Sequence, residues 1–179
     1  ARRAGRTGEA LDHYRAAVEQ DGEERALADH TAERRAALSA GATTDMRNAV
    51  AWLAAQDECR AGVVPWGSSS SANRVLELAA SGNPAVRGVV AFSPGEYDSS
   101  RPEALRTVVR SLEQPALIVW GRGEAELGQP VLAAVPKAHA TGHASTLGFH
   151  GSSILYEDPA VWPKVLAFLE NISRVPRRE

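Results

Sequence analysis

The sequence predicts an α/β fold, a parallel sheet flanked by helices. Three observations carry this. Short apolar runs alternate with amphipathic stretches from about residue 45 onward. Three of the runs are apolar almost throughout, as expected of strands covered on both faces. Polar, glycine-rich segments follow the runs, where open parallel sheets bind their ligands.

The elements follow in order. Residues 1–44 are charged, Ala-rich and strand-poor, and read as a helical cover segment. Glu9–Gln20 and Glu23–Ala40 are the expected helices, split by the turn signal Asp21-Gly22. Their larger apolar groups, Leu11, Tyr14, Val18, Leu27 and Leu38, make only a narrow stripe. Residues 45–179 read as the α/β portion. Asp45 is the expected N-cap of a helix carrying Met46, Ala49, Val50 and Leu53. Gly62-Val63-Val64-Pro65-Trp66 is the first expected strand, although Pro65 removes a ladder donor. A serine cluster and a helix with Val75, Leu76 and Ala79 follow, ending at Ser81-Gly82-Asn83-Pro84. Val86–Phe92 is the second strand. Pro102 opens a helix with Leu105, Val108, Val109 and Leu112. Ala116–Trp120 is the third strand, Val131–Val135 a short helix, and His143–Leu147 a weak fourth strand. Asp158-Pro159 starts the last helix, with Val161, Val165, Leu166, Phe168 and Leu169.

Composition excludes several classes. The 179 residues are 44% hydrophobic and 23% charged, ordinary globular material. A net charge of −2 gives no footprint for nucleic acid. The longest stretch without Lys, Arg, Asp or Glu, Ala138–Tyr156, is interrupted by histidine, glycine and hydroxyl residues and does not read as a membrane span. One cysteine, Cys59, rules out a disulfide scaffold or a Cys-based zinc cluster. No Gly-x-Gly-x-x-Gly or P-loop is present, and no cofactor or metal is expected. Compartment and oligomeric state are not encoded in a readable way; the chain reads as soluble, cytoplasmic or exported after processing.

Three loops hold the candidate chemistry. Gly67-Ser68-Ser69-Ser70-Ser71 lies between a strand and a helix, the layout of a nucleophile elbow centred on Ser69. Such a turn tolerates only small neighbours, which Gly67 and Ser71 supply. The Ser70 N–H would face a developing oxyanion. The four serines leave the register open, and a serine loop that caps a helix or binds an anion fits the same residues. A serine nucleophile needs a histidine base and an orienting carboxylate, in the chain order Ser, acid, His. Ser69, Glu124 and His150 occur in that order, each just past an expected strand. Glu96 also follows a strand and is the alternative acid; Glu126 is a further rival. His139 and His143 are poorer bases because they precede or lie within the last strand. Trp66, Trp120 and Trp162 read as core or pocket lining.

Trp66-Gly67-Ser68-Ser69-Ser70-Ser71-Ala72, Ala91-Phe92-Ser93-Pro94-Gly95-Glu96-Tyr97 and Phe149-His150-Gly151-Ser152-Ser153 resemble α/β-hydrolases of the dienelactone-hydrolase-like group. The similarity runs from about Asp45 to Leu169. The resemblance implies a cofactor-free hydrolase of carboxylic esters, lactones or related acyl compounds, acting through an acyl-enzyme. By motif position it maps nucleophile, acid and base to Ser69, Glu124 and His150. Two positions depart from the family pattern: Ser71 stands where Gly is usual, and Glu124 where Asp is commoner. Arg2–Gly8 is similar to the Arg-Gly-rich loop that leaves the fourth strand of such folds. The early strands, and the loop giving a second oxyanion N–H, are then expected to be missing from this chain. The alternative expectation is a non-catalytic binding domain on the same scaffold.

Overall fold

The computed structural model describes residues 32–174. The expected helix Glu9–Gln20, the loop Arg2–Gly8 and the first part of Glu23–Ala40 lie outside the described residues. The chain divides into two compact units, Ala1–Ala42 and Thr43–Glu179. The sheet and the candidate site belong to the second.

Four strands form one all-parallel sheet in the order β1-β2-β3-β4: Trp66–Ser68, Val89–Phe92, Ala116–Trp120 and Ala140–Ala144. The helices are α1 (Ala32–Ala54), α2 (Ser70–Ala80), α3 (Ala104–Val109), α4 (Ala125–Ala134), α5 (Ile154–Glu157) and α6 (Val161–Arg174). Among the described residues this is an α/β fold with no strand before β1. No described helix is long and apolar enough to cross a membrane.

The alternation of side chains explains the unbroken apolar runs. Val89 and Ala91 of β2, with Ala116, Ile118 and Trp120 of β3, face a core built from α2, α3 and α4. Val90, Phe92, Leu117 and Val119 face the other way, onto Ile154 and the Val161, Val165, Phe168 and Ile172 stripe of α6. Both faces of the central strands are therefore dry, and no position on them can be polar. Each such fully buried Val, Leu, Ile or Phe contributes about 1.5–3 kcal/mol.

Several boundaries differ from the sequence expectation. Asp45 does not cap a helix; α1 runs straight through it. Gly41, the weakest helix residue there, costs only about 1 kcal/mol, less than is gained by packing Met46, Val50 and Ala54 on the core. The first strand starts at Trp66, and Val63 makes only an isolated bridge to Val86. Pro65 lies just outside it as an acceptor, taking the Val90 N–H at 3.0 Å, so its missing donor costs nothing. The short helix at Val131 begins earlier, at Ala125, and carries Pro130 inside. The last strand occupies Ala140–Ala144, not His143–Leu147. It is a half-exposed edge strand, so it carries no apolar run to mark it. Trp120 is core, packed on Gly128, but Trp66 and Trp162 are 40% and 42% exposed.

Candidate active site

The loops leaving β1, β2, β3 and β4 meet at the carboxyl end of the sheet. The β1–α2 turn comes first. Ser69 has φ 57° and ψ −124°, a conformation that non-glycine residues rarely adopt. Its N–H still belongs to the sheet, donating to Phe92 O at 2.9 Å, while its C=O already receives the Ala72 N–H of α2. Strand becomes helix within one residue. That reversal brings α2 against β1 so closely that a Cβ on Gly67 would lie 2.3 Å from Ser71 O. Gly67 is thus required by space. The backbone also separates the four serines: Ser69 alone among them has positive φ. Ser68 turns its hydroxyl to the Ser152 N–H at 2.9 Å, and Ser70 and Ser71 form the exposed first turn of α2. The Ser70 N–H makes no hydrogen bond among the described residues.

The β3–α4 turn brings in Glu124. Gly121 follows β3, and Gly123 supplies φ +98°. The turn is zipped to the segment after β4 by Arg122 N–H to Leu147 O at 2.7 Å. A Cβ on Gly121 would lie 2.0 Å from Phe149 O, so only glycine lets the two loops approach. Glu124 then curls back over its own turn. Its Oε2 accepts from Gly121 N–H at 2.9 Å and from Ser93 Oγ at 2.5 Å. Its Oε1 meets His150 Nδ1. Burial pushes the Glu124 carboxyl upward, but the hydrogen bonds from Ser93, His150 and Gly121 outweigh it and hold the carboxyl below its ordinary value.

His150 leaves β4 on an extended backbone just before Gly151, whose φ is +62°. A Cβ on Gly151 would lie 2.3 Å from Ser68 Oγ and 3.9 Å from Ser69 N, so the histidine loop rests on the elbow itself. With Nδ1 occupied, Nε2 is the ring nitrogen left open. No hydrogen bond joins Ser69 to His150 among the described residues, and the imidazole is 54% exposed.

The rival residues lie elsewhere. Glu96 is turned away to the N-terminus of α3, accepting from Leu105 N–H at 3.1 Å and Arg106 N–H at 2.9 Å and pairing with the Arg106 guanidinium. Glu126 is exposed on α4. His139 and His143 flank or lie in β4, away from the elbow turn. No cluster of three or more metal-ligating side chains occurs among the described residues.

Two residues were not singled out from the sequence. Ser93, buried and also at positive φ (50°), donates to Glu124 and receives the Gly151 N–H at 2.8 Å. Tyr97 donates its hydroxyl to Ser93 O. Burial pushes the Tyr97 phenol above its ordinary value; the Ser69 hydroxyl beside it pulls the other way, and the Glu124 charge adds to the rise. Both residues lie in the Ala91–Tyr97 segment quoted for its resemblance, but spacing alone marks neither as a site residue.

Compared with models of known families, with curated proteins and with solved structures, the chain gave no significant match.

Proposed function

We propose that this chain is a serine hydrolase of small acyl compounds, such as carboxylic esters or lactones, working through an acyl-enzyme without a cofactor. The observation that carries the reading is the backbone of Ser69, strained at φ 57° between strand and helix, with the Glu124–His150 pair formed beside it. In this reading His150 Nε2 takes the Ser69 proton as Oγ attacks the acyl carbon. Glu124 holds Nδ1–H, fixing the tautomer and stabilising the imidazolium. The Ser70 N–H, at the start of α2, donates to the oxyanion, helped by the positive end of the helix. The leaving group departs with the proton from His150, and water activated by the same imidazole releases the acid. The resemblance to the dienelactone-hydrolase-like group supports the same assignment.

The alternative is a binding domain that keeps the scaffold without turnover. The missing Ser69–His150 hydrogen bond favours it. A fluorophosphonate probe separates the two. The hydrolase reading expects stoichiometric modification of the folded protein at Ser69, mapped by peptide mass spectrometry and abolished by Ser69→Ala. A folded protein left unlabelled at Ser69 would overturn it.

A further inference from the structure

The geometry points to Ser93 as a positioning residue that locks Glu124 and the His150 loop together through one buried hydroxyl. Its effect on turnover rests on the hydrolase reading; the coupling itself rests on geometry.

Ser93 is 2% exposed, and every polar atom it owns is engaged. Its N–H donates to Val119 O at 2.7 Å, anchoring the residue to β3. Its C=O accepts from the Tyr97 hydroxyl. Its Oγ lies 2.8 Å from Gly151 N and 2.5 Å from Glu124 Oε2. The direction of these last two bonds is forced. An amide N–H can only donate, so Oγ accepts from Gly151 and its single proton goes to the carboxylate. Ser93 therefore donates to Glu124 and favours its ionised form.

The same hydroxyl fixes the position of the residue next to His150. Acid and histidine loop are thus tied through a third group as well as to each other. The backbone sharpens the point. At φ 50° glycine would be the relaxed residue, yet only a side-chain hydroxyl makes both bonds. Alanine keeps the strain and loses the hydroxyl; glycine loses both.

The test compares Ser93→Ala and Ser93→Gly, each alone and in a Glu124→Ala background, on a p-nitrophenyl ester. Positioning predicts that both single variants lose about 100-fold in kcat, the scale of a misplaced catalytic group, with KM nearly unchanged. In the Glu124→Ala background the further loss should shrink well below 100-fold, to the part that Ser93 exerts through the Gly151 N–H alone. A purely structural role predicts instead that Ser93→Gly, freed of strain, recovers the activity that Ser93→Ala loses. A second readout needs no turnover: the carboxyl carbon of Glu124, followed by ¹³C NMR, should titrate at higher pH in both variants. An unchanged Glu124 titration in folded Ser93→Gly would overturn the inference. Failure of probe labelling and ester hydrolysis in the unmodified protein would overturn the hydrolase reading, while the titration would still decide the role of Ser93.

Discussion

Glu124 Oε1 meets His150 Nδ1 across 26 positions of sequence, while Glu124 Oε2 is held by Ser93 and the Gly121 N–H. The carboxylate is oriented before it touches the imidazole. A partner fixed in this way loses little freedom when the histidine becomes charged, which is the condition for stabilising an imidazolium.

Replacing Glu124 by Gln keeps the shape and removes the charge. In the hydrolase reading kcat should fall by up to ~10⁴-fold, the cost of losing an orienting carboxylate of this kind. Steady-state ester hydrolysis measures it. A loss below tenfold would show that Glu124 is not the acid.

The pH dependence of stability carries a sign. Glu124 is held below its ordinary value of 4.5 in the folded chain. The stabilisation is present above that value and is lost as pH falls through the lower, folded-state value. Thermal midpoints followed downward from neutral pH should therefore drop below about pH 4.5, and Glu124→Gln should make that drop shallower. Parallel curves for the two proteins would contradict the assignment.

Glu96 sits the same short distance past its strand as Glu124 but serves α3. Glu96→Ala strips the Leu105 and Arg106 N–H groups of their acceptor. The expected cost is about 1 kcal/mol, the scale of a lost helix cap, read by urea unfolding. Activity should stay within twofold, the opposite of the Glu124 outcome.

Gly121→Ala would place a methyl group 2.0 Å from Phe149 O. The loops bearing Glu124 and His150 must then separate, at a cost of about 1–3 kcal/mol and with loss of the Glu124–His150 bond. Gly148→Ala is the control, since its nearest neighbour is Arg122 O at 3.7 Å. It should stay within about 0.5 kcal/mol. Calorimetry and an activity assay on the pair separate close approach from a general intolerance of alanine.

The sequence by itself determined the α/β class, because a strand covered on both faces must be apolar throughout, and Val89–Phe92 and Ala116–Trp120 are. It also placed the candidate residues in loops at the carboxyl ends of the strands, which a parallel sheet brings to one edge. The residues by themselves left the register of the four serines open and kept Glu96 beside Glu124; it was the resemblance that pointed to Ser69 and Glu124. Those choices depend on a backbone angle and on which way a flexible carboxylate turns, and neither leaves a local pattern. Sequence alone misplaced the edge strand β4, expected at His143–Leu147, because the register of Ala140–Ala144 is set by its pairing with β3. Tertiary structure alone brought Ser93 into the site. Its two side-chain bonds reach 31 and 58 positions along the chain, and contacts of that range exist only once the sheet has brought its loops together.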